Sequence, residues 1–430
     1  MAVIAARTQS ELWPVARITF VAALLLFIIT IVIGILNGVD LVEFERDQTV
    51  THLHAGTLGW ITLALSGTAF LMFTGRRALS VGDVSHARAL AYSMIGAVAL
   101  YVAAFYAGDS IFDDRIQRPF GGTLLFLVVV WFLVWLVRNN RAAPSSSIAR
   151  LGVILAWISL LIGAVFGIIL GLFTARGEVP GLDAETATAV ADAHPPAMVI
   201  GYLILAAMAV IEWTIRDERT WGESRWGAAQ MWILFTAGVI VNVGFISGLE
   251  QELLGPANLL MIAGVVILVL RSRHELVPSA WRGAGTAVYP RVSIMFLVVY
   301  LVLGTILIGR VVSGSLDFDA MSEADRGFVL TFDHVMFIGV MTNALFGVVA
   351  ARLHRGALQT VDRVLLWGVN LGIVGFAIGL TTVSPVWKRI STPVMGTALL
   401  IGIAAYVTEL SKTREEVPTE TMVLPQPGSS

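Results

Sequence analysis

The sequence predicts an all-α, polytopic membrane protein with twelve transmembrane helices in three pseudo-symmetric four-helix arcs. Three observations predict it. The 430-residue chain is 57% apolar and 13% charged, against about 25% charged in soluble domains. Its apolar residues gather in twelve runs close to the roughly 20 residues that span a hydrocarbon core. Three histidines, His54, His194 and His334, stand 140 residues apart, each at the start of such a run.

The runs are 14–37, 54–75, 88–107, 120–137, 149–173, 194–215, 227–247, 256–271, 292–313, 331–351, 364–384 and 393–410. The first is long enough to span and lacks a small-residue cleavage site, so it is read as a helix and not as a signal peptide. The eighth is short, and a re-entrant segment there would flip everything downstream. The charges argue against that. The loops after helices 2, 4, 6, 8 and 10 hold 16 arginines, whereas the six loops on the other side hold 8 basic residues and 18 of the 30 carboxylates. The positive-inside rule then puts both termini in the cytoplasm. Residues 1–410 form one transmembrane domain, and the polar stretch 411–430 (ending EEVPTETMVLPQPGSS) reads as a disordered cytoplasmic tail.

Composition also excludes chemistry. With no cysteine, disulfides, thiolate metal sites and cysteine nucleophiles are ruled out. A net charge of −2 offers no basic surface to nucleic acid.

On this topology His54, His194 and His334 share the outer face and begin helices 2, 6 and 10. Four helices separate them, so the arcs are helices 11-12-1-2, 3–6 and 7–10. An ionisable or metal-binding residue inside a membrane is a functional candidate by default. The plainer alternative is that these histidines are interfacial and structural. Asp192 and Asp333 adjoin two of them and could orient an imidazole or cap a helix. In THLHAGTLGW, His52 and His54 stand two residues apart. On a helix that is about 200° of rotation, so the pair can serve two groups on opposite sides. Gly56 and Gly59 leave room for a flat macrocycle, or simply allow close helix packing. His86, His274 and His354 fall in arginine-rich loops and read as solvated surface.

Between helices 11 and 12, SPVWKRISTP breaks the charge pattern with Lys388 and Arg389. An adjacent cation pair suits two haem propionates or anchoring to lipid headgroups. If the three histidines instead converge on one axis, they suit zinc or copper with an open fourth position, giving a metal-binding or metal-transport protein.

Twelve helices, four-helix arcs and histidines on helices 2, 6 and 10 resemble subunit I of the haem-copper oxidase superfamily. HLHAGTLGW is similar to the helix 2 stretch of cbb-type oxidases, and the NnrS family of twelve-helix haem proteins is similar as well. The resemblance covers nearly the whole chain in topology but rests on short motifs in sequence. It implies a b-type haem near the outer face with His54 and His334 as axial ligands and His52 as the substitute for His54. It also implies that Lys388 and Arg389 hold the propionates, and that His194 occupies the helix of a copper ligand. Helix 7 lacks the His-His pair of the oxidases, and helix 6 reads HPPAM, so a conventional oxygen-reducing copper centre is not expected. A second site, if catalysis occurs, is expected at His194 and His52. The resemblance further implies a bacterial plasma membrane, contact with lipid, a redox partner subunit, and electron transfer or oxygen or nitric oxide chemistry.

Overall fold

The computed structural model describes residues 11–74, 78–107, 114–143, 146–215, 224–318, 320–354 and 357–412, with backbone alone for 114–116. Among the described residues twelve helices are long and apolar enough to cross a membrane, which marks the chain as a multi-pass membrane protein. They are α1 (Trp13–Gly38), α2 (Arg46–Thr74), α3 (Val81–Ala107), α4 (Gln117–Arg141), α5 (Ile148–Arg176), α6 (Ala184–Ile215), α7 (Arg225–Ser247), α8 (Glu250–Leu276), α9 (Gly285–Val312), α10 (Glu323–Leu353), α11 (Thr360–Thr381) and α12 (Pro385–Ser411). Among the described residues no strand forms beyond a single bridge between Val179 and Leu182. The expected tail lies outside the described residues beyond Lys412, as do parts of the arginine-rich loops at 75–77, 216–223 and 355–356.

The helices start and stop on local chemistry. Asp183 caps α6 by accepting from the Thr186 amide at 2.7 Å, and that bond holds its carboxyl below the usual carboxylate range. Ser322 and Asp325 form a reciprocal capping box on α10. Gly177 and Gly248 end α5 and α7 in the left-handed conformation. These caps explain one departure from the apolar runs. α2, α6 and α10 begin at Arg46, Ala184 and Glu323, eight to ten residues early, because polar turns, capped by side chains in α6 and α10, extend each helix beyond its apolar part. The histidines therefore sit two to three turns inside their helices. α8 is a full span of 27 residues, not a re-entrant segment. α12 begins at Pro385, so Lys388 and Arg389 occupy its first turns and not a loop.

Burial separates the helices into two sets. In α2, α6 and α10 the most apolar window is 94, 72 and 83% buried, against 33–50% in the other nine. The three form the centre and the nine surround it. Polar bonds tie the centre together: Trp60 Nε1 donates to Thr342 Oγ1 at 3.1 Å, and the Tyr202 hydroxyl donates to Thr62 Oγ1 at 3.0 Å. Each central helix also widens into a π-helical segment, at Ala55–Thr62, Ala197–Leu203 and Val335–Thr342. Thr62 and Thr342 each return a hydroxyl bond to the carbonyl five residues back. Such segments are uncommon and concentrate at functional sites.

The surrounding set has its own regularity. Pro119, Pro256 and Pro393 lie 137 residues apart within α4, α8 and α12. At the end of the bundle opposite the histidines, polar groups are buried in clusters. Arg271 pairs with Glu212 and donates to Gln230. His354 bonds Asp362 at 2.9 Å, and Asp362 also accepts from Tyr406. His354 is thus part of an internal network and not solvated surface. His86 likewise accepts from Trp131 Nε1 at 2.8 Å, while His274 is exposed as expected.

Candidate functional site

Four histidines stand at the upper ends of the π-helical segments, and each is held by a backbone carbonyl through Nδ1. His54 bonds Val50 O at 2.9 Å and His334 bonds Leu330 O at 2.7 Å, each within its own helix and four residues back. His52 bonds Thr30 O and His194 bonds Gly163 O, both at 2.8 Å, across to the preceding helix. A carbonyl can only accept, so Nδ1 carries the proton in all four rings. Nε2 is then left with its lone pair, which is the state of a metal ligand. The Nδ1 partners are carbonyls, not Asp192 or Asp333.

The anchoring divides the histidines into two kinds. His52 and His194 lie three residues before a π-helical segment, and His54 and His334 lie one residue before. Packing gives the same division. A Cβ on Gly34 would stand 3.0 Å from His52, and one on Gly167 would stand 2.8 Å from His194. The matching contact on α10 is Gly304 against Phe332, at 3.1 Å. Eight residues before these glycines, Leu26, Ser159 and Phe296 pack on Gly59, Gly201 and Gly339. The counterpart of His194 is therefore His52, and the third counterpart is Phe332. His54 and His334 correspond to each other and to Pro196.

This register changes the pairing. The expected pairs were His54 with His334 and His52 with His194. Instead His52 faces His334, with ring centres 6.3 Å apart and planes at 31°. His54 lies on the other side of α2, against Tyr101 and Phe105 of α3. The reason is the rotation of about 200° between residues i and i+2 of a helix. Phe376 stands edge-on to His334 at 5.0 Å. Phe105 stacks on His54 at 4.4 Å, with Tyr101 edge-on at 5.4 Å. Among the described residues no group of three or more His, Asp or Glu gathers to hold a metal ion. His54 and His334 thus turn to different neighbours, Tyr101 and Phe105 in one case and His52 and Phe376 in the other.

Lys388 and Arg389 both pair with Asp40, at 2.5 and 3.1 Å, closing the α1–α2 turn onto α12. Lys388 holds the Asp40 carboxyl below its usual range. Asp40 itself and Val383, just before α12, are the non-glycine residues with left-handed backbone among the described residues, at φ 56° and 51°. For Val383 that is a strained conformation. The two cations thus stand in the first turns of α12 and share one carboxylate.

Sequence reasoning missed Arg118. It sits in the first turn of α4, paired with Asp47 at 2.7 Å and lying over the Phe105 ring at 5.1 Å. Its Nε is buried without a hydrogen-bond partner among the described residues. The proline at position 119 was the available signal, since it marks the same place in α4 as Pro393 marks in α12. No protein-family model matches the chain, and no curated protein matches it in sequence.

Proposed function

We propose that this chain is a membrane b-type haem protein with His52 and His334 as axial ligands, built as three four-helix arcs around α2, α6 and α10. The observation that carries the reading is the His52–His334 geometry. A metal about 2 Å from each of two opposed imidazole nitrogens, whose ring centres lie about 1 Å beyond, sets those centres about 6 Å apart; the separation here is 6.3 Å. Two imidazoles are too few for a bare zinc ion, which takes four ligands. A porphyrin brings four nitrogens of its own, so two histidines suffice. The arcs are supported by the recurring glycine contacts, the three π-helical segments and the 137-residue proline spacing.

The residues divide the work. His52 and His334 hold the metal, with Nδ1 fixed so that Nε2 needs no rearrangement to bind. Gly34 keeps helix α1 clear of the His52 ring. Lys388 and Arg389 bring two cations against one carboxylate and so retain positive charge for propionates. A bis-histidine haem supplies one-electron transfer and no open coordination position. The protein would then pass electrons between partners, with the histidine end on the outer side of a bacterial plasma membrane and both termini inside.

A reduced-minus-oxidised spectrum of purified protein tests this, together with a pyridine haemochrome assay. The expected result is a b-type signal that His334→Ala diminishes. Wild-type protein with no Soret band and no extractable haem would falsify the reading.

A further inference from the structure

We propose that His54 and His194 form a second haem site on the opposite side of α2, an inference that rests on the haem reading of the first pair. The argument is one of equivalence. His54 is anchored as His334 is, to the carbonyl four residues back. His194 is anchored as His52 is, to a carbonyl of the preceding helix four residues before a glycine that contacts its ring. The operation that carries α10 onto α2 and α2 onto α6 therefore turns the His334–His52 pair into the His54–His194 pair. Each member lands on the same kind of position, with the same tautomer and Nε2 left as the ligand atom.

The surroundings suit a planar dianionic macrocycle. Phe105 and Tyr101 provide aromatic walls at His54. Arg118 lies over Phe105 and keeps Nε without a partner among the described residues. It stands beside Pro119 as Lys388 and Arg389 stand before Pro393, so each pair has a cation at the same end of the bundle. A bare metal ion is disfavoured because no third His, Asp or Glu joins the pair among the described residues.

The third interface shows what an unused copy looks like. Its positions hold Phe332 and Pro196, and Tyr300 stacks on Phe332 at 4.3 Å. Only an apolar cavity of about 50 Å³ remains there, bordered by Tyr300, Gly304 and Phe332. His52 and His54 are about 3 Å apart along the axis of α2, so the two haems would stand at one depth with a single helix between them.

The experiment is haem stoichiometry on full-length protein in detergent, by pyridine haemochrome per chain, with a potentiometric titration of the same samples. Two haems per chain and two midpoint potentials are expected. His54→Ala and His194→Ala should each remove one haem and one potential, and the surviving spectrum of the first site reports that the protein is folded. Imidazole added to His54→Gly protein should restore the lost component. One haem per chain, unaffected by His54→Ala and His194→Ala and removed by His334→Ala, overturns the second site and leaves the first standing. One haem removed by His54→Ala and untouched by His334→Ala overturns the first instead. Absence of haem overturns both.

Discussion

The position three residues before each π-helical segment is filled differently on the three central helices. On α2 and α6 it is histidine, held by a carbonyl of the preceding helix and resting on a glycine. On α10 it is Phe332, resting on Gly304 in the same way but stacked on Tyr300. The residue that offers a carbonyl to His52 or His194 is Thr30 or Gly163, and at the third interface that place is taken by the ring of Tyr300. The backbone arrangement is shared and the chemistry is not. A π-helical segment and a glycine under the ring make a niche for a flat side chain, and one substitution decides whether that niche presents a ligand or closes with packing.

Changes at the three glycines break the comparison most sharply. Gly34→Leu and Gly167→Leu would drive side-chain atoms into an imidazole whose Nδ1 is fixed, and each should abolish haem at its own pair. Gly304→Leu should cost packing, about 1–3 kcal/mol, and leave haem content unchanged. Haem per chain, read beside thermal stability in detergent, separates the two outcomes, and equal haem loss from Gly304→Leu would remove the distinction between the interfaces. A smaller effect is expected from Trp60→Phe, which deletes the bond to Thr342 between α2 and α10. Bonds of this kind between membrane helices contribute about 0.6 kcal/mol on average, so a modest fall in melting temperature should accompany a full complement of haem.

The smallest effect belongs to the Asp40 clasp. Lys388 beside it lowers the folded-state carboxyl below its ordinary value of 3.8. Its contribution is therefore fully present above that value and is lost only as the pH falls through the lowered one. Being partly exposed, the clasp should contribute less than about 1 kcal/mol. Asp40→Asn should lower the melting temperature slightly at pH 7, and the difference from wild type should vanish only in strong acid. A difference that already disappears near neutral pH would show that Asp40 is not the titrating partner.

Much of the fold was legible because a membrane imposes it: apolar length alone marks twelve helices. The polar first turns of α2, α6 and α10 were not, since hydropathy reports the apolar part of a helix and not its whole length. The histidines themselves were legible, but their partners were not. The 140-residue spacing suggested that His54, His194 and His334 were counterparts, whereas packing makes His194 the counterpart of His52. The interval between Gly34 and His52 is shorter than that between Gly167 and His194, and this difference in loop length brought unlike positions into equal spacing. Arg118 escaped notice because its value depends on which side of α2 His54 faces, which no periodicity states. The buried His354–Asp362–Tyr406 cluster escaped because an arginine-rich flank looks like solvent-exposed loop.

The closure of α12 onto α1 bears on how the protein is made. Gly38 packs against Thr392 and Gly396 against Ile35, and Arg17 reaches the carbonyl of Lys412. α1 and α2 leave the ribosome before α10 and α12, yet His52 meets His334 only after α10 has been inserted, and Asp40 meets Lys388 only after α12. The earliest helices must therefore wait in the bilayer with one flank against lipid until the last ones arrive. A chain stalled before α10 would hold His52 without its partner, and one stalled before α12 would leave the ring open where its two ends should meet.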